Sequence, residues 1–346
     1  MEPARALNAW RRNPRHRSEL YPSPDNGLIN RTFLVGSPPT AVLQWVNPIF
    51  DPRIHLDIAA VTQRLAELGQ TTPRLVPCDD GSTHVEDDDT GGFWRLLTFV
   101  PGTTVHTLAS PRQAAAAGAL VGGFHAAMAG WGYRFQAPQR RIHDTPARMA
   151  DLRSALDSCD GHPLADPARD VGRAVLDSWG RWDGELDLPE RPCHGDLKIS
   201  NLRFSDDGVS GVALIDLDTL GPQALAVEMG DAWRSWCNPA GEEDPDRCVF
   251  DLELFTAAAA AWRPKVGALT EAEESSLAPG IERLCLELAA RFCADAVNNS
   301  YFREDRERYC QPGAQNLLKA RCQLRLAASA RNRRSACEAV LRKAAP

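Results

Sequence analysis

The stretch RPCHGDLKISNLRFSDDGVSGVALIDLD, residues 191–218, constrains the fold of this chain more than any other part of the sequence. It places the carboxylate of Asp196, the ammonium group of Lys198 and the amide of Asn201 on one short loop. Phosphoryl transfer needs an acceptor for the proton of the attacking hydroxyl, a cation beside the moving phosphoryl group, and hard oxygen ligands for Mg²⁺. The loop therefore predicts Asp196 and Lys198 as catalytic residues and Asn201 as a metal ligand.

An apolar run follows this loop and predicts a buried strand. The run extends from Val209 to Leu217 and is entered from the turn Asp206-Asp207-Gly208. Asp216 stands at its end, where a carboxylate completes a metal site with Asn201. Asp218 is predicted as a further metal carboxylate, which either binds a second ion or acts from the outer shell. Each segment alone is compatible with an ordinary loop or strand end, but their combined spacing favours a catalytic function.

These motifs resemble those of a known superfamily. HGDLKISN followed by IDLD is similar to the aminoglycoside phosphotransferase and choline kinase superfamily, whose members are relatives of the protein kinases. Further segments resemble the N-acetylhexosamine 1-kinase group of that superfamily, so the resemblance covers nearly the whole chain. These segments are NGLIN and TFLV (26–35), VLQWVNPIF (42–50), HDTP (143–146), IDLDTLGP and EMGDAWRS (215–235), FDLELF (250–255), LELAARFCAD (286–295) and YF (301–302).

The resemblance implies an α+β, protein-kinase-like fold with two lobes. Residues 1–101 are expected to form a nucleotide-covering lobe with a small antiparallel β-sheet and one helix. Residues 102–346 are expected to form a larger, mainly α-helical lobe that carries catalysis and substrate binding. Local patterns in the first lobe agree with this fold. They predict strands at Leu28–Val35, Ala41–Val46 and Gly92–Val100 and a helix at Asp51–Leu68.

The nucleotide is expected to lie under the first hairpin. Asn26 and Gly27 precede this hairpin and provide a bend with exposed backbone amides that suit phosphates, and the downstream catalytic loop favours this interpretation over a plain hairpin with an Asn-Gly turn. In most kinases that the chain resembles, the second strand carries a lysine for the α- and β-phosphates, and here Gln44 takes that place. Phe99 and Val100 end the last strand at Pro-Gly, which resembles the kinase hinge whose backbone binds adenine.

The second lobe is predicted to be helical. A helix beginning near Glu228 is expected to support the catalytic loop, with Asp231 capping backbone amides. The other predicted helices are Gln113–Met128, one that begins at Pro146 behind a cap at Asp144 or Thr145, Val249–Trp262, Thr270–Val297 with a break near Pro279-Gly280, and Gln315–Leu341.

Four residues are predicted to bind the acceptor substrate. Asp196 faces the reacting hydroxyl, and the resemblance places His143 and Asp144 near the sugar side of the cleft. It also implies that Arg291 forms hydrogen bonds with sugar hydroxyls. Each has a simpler alternative, because Asp144 suits a helix cap and Arg291 suits an ion pair with Glu287 one turn earlier.

Composition narrows the class of protein. The net charge of −7 argues against a nucleic-acid-binding surface, and no apolar run approaches the length of a membrane span. The ten cysteines contain no CxxC pair, which favours reduced thiols and a cytoplasmic location. Cys193 abuts the catalytic loop and is expected to be a point of sensitivity to thiol reagents. The oligomeric state is not indicated by the sequence.

The sequence thus predicts an ATP- and Mg²⁺-dependent small-molecule kinase. By analogy with the group it resembles, the acceptor is the anomeric hydroxyl of an N-acetylhexosamine and the product is the sugar 1-phosphate. The resembling kinases often have a histidine where this chain has Leu28, so another acceptor, such as an aminoglycoside or a small alcohol, is the first alternative. The second alternative is a non-catalytic regulator with a kinase fold, which the loss of the strand lysine at Gln44 supports.

Overall fold

The computed structural model describes residues 1–12, 19–23, 29–138, 142–302 and 304–345. None of the helices in these residues is both long enough and apolar enough to cross a membrane. The elements of the first part are α1 (Pro3–Ala6), β1 (Leu20–Pro22), β2 (Arg31–Val35), β3 (Ala41–Val46), α2 (Ile54–Glu67), β4 (Val85–Asp87) and β5 (Gly92–Thr98). Those of the second part are β6 (Thr103–Thr104), α3 (Pro111–Met128), α4 (Thr145–Asp157), α5 (Ala165–Gly180), β7 (Glu190–Cys193), β8 (Leu202–Phe204), β9 (Gly211–Leu214), β10 (Gly221–Ala224), α6 (Leu225–Trp236), α7 (Leu252–Trp262), α8 (Glu271–Asn298), α9 (Ala314–Asn332) and α10 (Arg334–Lys343).

The first part is built on an antiparallel sheet in the order β1-β2-β3-β5-β4. The predicted hairpin is present as β2 and β3, with Val35 opposite Ala41. Side chains alternate between the two faces, so Leu43, Trp94 and Leu96 pack on the outer face against Leu7 and Trp10. The other face looks toward the large lobe.

Helix α2 joins the sheet to the rest of the molecule. Its Ile54, Ile58, Val61 and Leu65 recur at intervals of three and four residues and are buried in the main core, as the sequence pattern predicts. The carboxylate of Asp57 on the same helix accepts hydrogen bonds from the Tyr133 hydroxyl (2.8 Å) and from the backbone amides of residues 136 and 137. Helix α2 therefore belongs to the small lobe in sequence, but the hydrogen bonds of Asp57 connect it to the large lobe.

The large lobe is arranged around α8, which packs against α4, α5, α6 and α9. The predicted break near Pro279-Gly280 is wrong, because the helix continues through Pro279. Gly280 allows α6 to approach so closely that a Cβ atom there would lie 2.2 Å from the carbonyl oxygen of Ala226. The close packing against α6 holds a helix that the proline by itself would interrupt.

Further element boundaries differ from the prediction. The closing helix is not continuous from Gln315 to Leu341 but divides at Arg333, and α10 then turns so that Cys337 and Leu341 are buried. The strand expected up to Leu217 ends at Leu214. The cause is Asp216, whose φ of 63° lies in the left-handed region and cannot continue a strand.

Short strands place the catalytic segments beneath the sheet. β7 pairs with β10, and β9 pairs with β8, which also pairs with β6. Residues 99–102 connect the small sheet to this part of the chain, and the proposed lobe boundary at residue 101 falls there. Together these elements give the mixed α+β, two-lobed kinase-like fold that the sequence predicts.

Candidate active site

The catalytic loop follows β7, and hydrogen bonds of His194 and Glu228 hold its backbone in place. The ring of His194 donates from Nε2 to the carbonyl oxygen of Ile215 (3.0 Å) and accepts at Nδ1 from the backbone amide of Asp196 (3.3 Å). Glu228 on α6 accepts from the backbone amides of His194 (2.8 Å) and Gly195 (2.9 Å). At Gly195 the loop has φ 84°, and a Cβ atom would lie 2.3 Å from the carbonyl oxygen of Thr219. The histidine and the glutamate are therefore part of the scaffold of the loop.

Asp196 and Lys198 form an ion pair at the surface of this loop. Lys198 Nζ donates to Asp196 Oδ2 at 2.7 Å and lies 4.0 Å from Asp216 Oδ2. Burial alone would raise the Asp196 pKa, but the Lys198 charge and hydrogen bond outweigh it and hold the pKa at about 2. The Lys198 pKa is raised by the same two carboxylates despite burial. The predicted catalytic pair is thus brought together, with the carboxylate ionised.

Asn201 and Asp216 suit a magnesium ion. The Asn201 Nδ2 donates to the carbonyl oxygen of Asp196 at 2.9 Å, which directs its Oδ1 away from the backbone as a possible ligand. Asp216 has its pKa raised by burial, and the Lys198 ammonium only partly offsets this. Its left-handed backbone turns the carboxylate out of the strand direction. Amide and carboxylate oxygens are ligands that Mg²⁺ prefers, so these two residues fit the ion.

Asp218 is held differently from Asp216. One of its oxygens accepts a hydrogen bond from Arg95 Nη1, and the other accepts from Asn30 Nδ2 at 2.7 Å. Its side chain is buried. Because both oxygens are engaged by side chains of the small lobe, the geometry favours the outer-shell alternative for Asp218.

Arg95 is a residue that the sequence analysis missed. It projects from β5, is 1% exposed, and lies directly opposite Gln44 on β3. Its Nε and Nη2 donate to Gln44 Oε1 at 3.1 and 2.8 Å, and Gln44 Nε2 donates to Thr32 Oγ1 at 3.2 Å. The available signal was a single charged residue in the apolar strand GFWRLLT, because a buried arginine needs a nearby carboxylate.

The remaining predicted nucleotide contacts lie at the connection between the lobes. Phe99 and Val100 line the cavity there. The backbone amide of Phe99 donates to the carbonyl oxygen of Thr40 (3.2 Å), and the carbonyl oxygen of Val100 accepts from Arg203 (3.3 Å). Asn26 and Gly27 lie outside the described residues.

The residues predicted to bind the acceptor are near one another at the start of α4 and on α8. Asp144 caps α4 by accepting from the backbone amide of Ala147 at 3.1 Å. His143 Nδ1 contacts Glu287 Oε1 at 2.8 Å, and Thr145 donates to the other Glu287 oxygen at 2.6 Å. Burial alone would lower the His143 pKa, but the Glu287 charge and hydrogen bond raise it overall.

Arg291 does not form an ion pair with Glu287, which was the alternative to its predicted sugar contact, because that carboxylate is occupied by His143 and Thr145. Its guanidinium group instead lies over the rings of Tyr301 and Phe302, 5.4 Å from each centroid. All three side chains line the cavity. The guanidinium is thus stacked in place with its N–H groups available at the cavity edge.

The expected capping role of Asp231 is wrong. The residue lies inside α6, and its Oδ1 accepts two hydrogen bonds from Arg234, which also donates to Glu242 at 2.9 Å. Asp231 Oδ2 is buried and has no hydrogen-bond partner among the described residues. Asp231, Arg234 and Glu242 all line the cavity. The predicted cap at Asp231 is wrong because the helix begins at Leu225 rather than near Glu228, so Asp231 lies inside it.

The expectation for Cys193 is also wrong. Its thiol is fully buried, and burial raises its pKa well above the ordinary value. A thiol without access to solvent and without thiolate character reacts poorly with thiol reagents. The cysteine lies beside His125 and Glu228 beneath the loop, where it acts as part of the packing.

One cavity of about 1600 Å³ is lined by Asp196, Lys198, Asn201, Asp216 and Asp218. It lies between the small sheet and the helical part, with the catalytic loop along its floor. Asn30, Gln44, Arg95, Phe99 and Val100 line it from the first part of the chain. His143 before α4, Asp231 on α6 and Arg291 on α8 line it from the other side, whereas Asp144 does not line it. The arrangement has room for a nucleotide and a second small molecule.

A family model, the phosphotransferase enzyme family, matches residues 22–264. This match covers strands β2 to β5 of the small sheet, the catalytic loop and the predicted metal-binding segment, and more than half of the chain. The chain belongs to the phosphotransferase enzyme family.

Solved structures of phosphotransferases share this fold. A microcompartment-associated aminopropanol kinase has a TM-score of 0.63 and 18% identity, with 97% of each chain covered. An amicoumacin kinase in complex with AMP-PNP, Ca²⁺ and Ami has a TM-score of 0.59 and 14% identity, covering 88% of this chain and 87% of the other. An aminoglycoside phosphotransferase from Alicyclobacillus acidocaldarius subsp. acidocaldarius DSM 446 has a TM-score of 0.58 and 17% identity, covering 99% of this chain and 96% of the other. The chain is therefore a phosphotransferase with the fold of small-molecule kinases.

Proposed function

We propose that this phosphotransferase transfers the γ-phosphoryl group of ATP to the anomeric hydroxyl of an N-acetylhexosamine or a related sugar. The products are ADP and the sugar 1-phosphate. The observation that carries the proposal is the convergence of Asp196, Lys198, Asn201 and Asp216 on one cavity beneath the small sheet. A regulator without catalysis would not need this complete set, although Gln44 in place of the strand lysine is compatible with one.

The mechanism assigns each group one task. Asp196 accepts a hydrogen bond from the acceptor hydroxyl and orients its oxygen toward the γ-phosphorus, while the bond from that phosphorus to ADP breaks. With a pKa of about 2, Asp196 is a weak base, so it acts by positioning and takes the proton only as the new P–O bond forms. Lys198 stabilises charge on the moving phosphoryl group. Asn201 and Asp216 would hold Mg²⁺, which supplies charge neutralisation of the phosphates when it is bound.

The acceptor half of the cavity suits a sugar. Arg291 and His143 provide polar contacts, while Tyr301 and Phe302 provide aromatic surface beside them. A pyranose ring has both hydroxyl groups and an apolar face of C–H bonds, so it fits such a mixed surface. The N-acetylhexosamine itself is inferred from the sequence resemblance, and Leu28, which bears on this choice, lies outside the described residues.

A cationic acceptor is the second candidate. Asp231 Oδ2 is buried without a hydrogen-bond partner among the described residues, and Glu242 lines the cavity nearby. A buried carboxylate oxygen in this state favours a ligand that donates hydrogen bonds, and an ammonium group is the strongest such donor. Amino alcohols and aminoglycosides carry both an ammonium group and a hydroxyl, which are the features this alternative requires.

The test is ADP release from MgATP across a panel of acceptors. The panel contains N-acetylglucosamine, N-acetylgalactosamine, glucosamine, aminopropanol, ethanolamine and an aminoglycoside, each with and without EDTA. We expect EDTA-sensitive release with an N-acetylhexosamine and a product whose ³¹P signal couples to the anomeric proton. Release with the amines alone would favour the cationic acceptor. Bound nucleotide without turnover on any acceptor would favour the regulator.

A further inference from the structure

Arg95 brings a positive charge from the small lobe to the cavity, and it lies on β5 rather than on β3, where a lysine was expected. Within the described part of residues 1–101, Arg95 is the only basic residue that lines the cavity. It lies opposite Gln44 in the register of β3 and β5, so both side chains extend from the same face of the sheet. Gln44 occupies the position where resembling kinases carry a phosphate-binding lysine. Arg95 therefore places a positive charge on the neighbouring strand β5, directly opposite Gln44.

The contacts of Arg95 hold its guanidinium group in one orientation. Nε and Nη2 share the Gln44 carbonyl oxygen as acceptor, and Nη1 donates to Asp218. A guanidinium group has five N–H donors, and these contacts use three of them. The remaining two, one on each terminal nitrogen, have no partner among the described residues, and the buried side chain borders the cavity. Because Arg95 is already ordered, little side-chain entropy is lost when a ligand binds to it.

The surrounding charges explain why a phosphate ligand fits. Asp218 also accepts from Asn30 and follows the metal-binding Asp216 by two residues. Arg95 thus lies beside the segment that would face a metal ion and the phosphates of a bound nucleotide. Magnesium-bound ATP keeps net negative charge, and Lys198 is already paired with Asp196 in the large lobe. Arg95, which is paired with Asp218, would add a second cation on the sheet side of the phosphates.

We propose that Arg95 binds the α- and β-phosphates of ATP, with Gln44 orienting its guanidinium group. The pair would together perform the task of the single strand lysine. This inference rests on the proposed function, because it requires that ATP is the phosphoryl donor.

The experiment measures dissociation constants for MgATP and for adenosine by isothermal titration calorimetry. The variants are Arg95→Gln and the exchange variant Gln44→Lys/Arg95→Gln, which moves the cation to the other strand. The control is Arg31→Gln, which removes an arginine of the same sheet that stacks on Trp45 and Trp94 instead of lining the cavity. Near-ultraviolet circular dichroism verifies that each variant is folded.

We expect Arg95→Gln to weaken MgATP binding by about tenfold or more, with adenosine binding changed by less than about twofold. The exchange variant should recover most of the preference for MgATP, and Arg31→Gln should keep it. Equal weakening of both ligands, or unchanged MgATP binding in a folded Arg95→Gln variant, would overturn the inference. If Arg95→Gln does not fold, a folded exchange variant without the MgATP preference would overturn it as well. A wild-type protein that binds neither ligand would instead contradict the proposed function.

Discussion

In this candidate active site, neighbouring side chains determine the environment of each of the carboxylates Asp196, Asp216 and Asp218. Asp196 remains ionised because of Lys198, while Asp216 has its pKa raised by burial with only a distant ammonium group as compensation. Asp218 stays buried because Arg95 and Asn30 satisfy both of its oxygens. Three carboxylates within a short stretch of sequence thus have three different environments. In the proposed mechanism, this difference separates the carboxylate that orients the acceptor from the one that would hold a metal ion.

The His143–Glu287 pair makes stability depend on pH. The folded-state pKa of His143 is raised, so the pair stabilises the protein most below the unfolded-state pKa of about 6.5, and the effect is lost as the pH rises through the folded-state pKa. We expect His143→Gln to lower the free energy of unfolding by about 1–3 kcal/mol at pH 6 and by less at pH 9. Urea unfolding at the two pH values measures this.

The matched control is Thr145→Val, which removes the hydrogen bond donated to the same carboxylate and the one accepted from Arg283 Nε, without removing a titrating group. Its destabilisation should differ little between pH 6 and pH 9. A His143→Gln effect that increases toward pH 9 would contradict the assignment.

At the scale of elements, α6 supports the catalytic loop through one carboxylate. Glu228 accepts from two buried backbone amides of the loop, at His194 and Gly195. Glu228→Ala leaves both donors unsatisfied, so we expect a loss of about 2–5 kcal/mol in the free energy of unfolding and a lower kcat. Glu228→Gln retains one acceptor and should cost less. Urea unfolding and steady-state kinetics test this, and an alanine variant with wild-type stability would refute the supporting role.

The contact between α6 and α8 depends on the absence of a side chain at Gly280. A Cβ atom there would lie 2.2 Å from the Ala226 carbonyl oxygen, which is backbone and cannot move away easily. Gly280→Ala should therefore lower the free energy of unfolding by about 1–3 kcal/mol. Gly123→Ala in α3 is the control, because its Cβ would have no atom nearer than 3.8 Å and should be neutral or stabilising by up to ~1 kcal/mol. Equal effects of the two substitutions in thermal or urea unfolding would contradict this account.

The elements were predicted well where periodicity determines them and less well at their ends. The apolar stripe of α2 and the β2–β3 hairpin follow from local sequence pattern. The continuity of α8 through Pro279 depends on packing against α6, a contact between distant segments that has no local signature. The end of β9 before Asp216 depends on a left-handed backbone, which a non-glycine residue adopts only under tertiary constraint.

For the whole molecule, the two-lobed fold and the residues of the catalytic loop were predictable because the loop motif is compact in sequence. The contacts that join the two lobes were not predictable from the sequence. Arg95 and Asp218 are separated by 123 residues, and His143 and Glu287 by 144. Side chains this far apart in the chain meet only after folding, so the sequence did not indicate which residue would be the partner of Arg95 or of His143. The acceptor half of the cavity, which includes Asp231, depends on such contacts most.

The central claim is that the cavity between the lobes transfers a phosphoryl group with Asp196 as the orienting carboxylate. The most direct measurement compares kcat and the dissociation constant of MgATP for the wild type and Asp196→Asn, with the acceptor identified by the panel. We expect kcat to fall by about 10²–10⁴-fold while MgATP binding changes by less than about threefold. An Asp196→Asn variant with unchanged kcat would contradict the account.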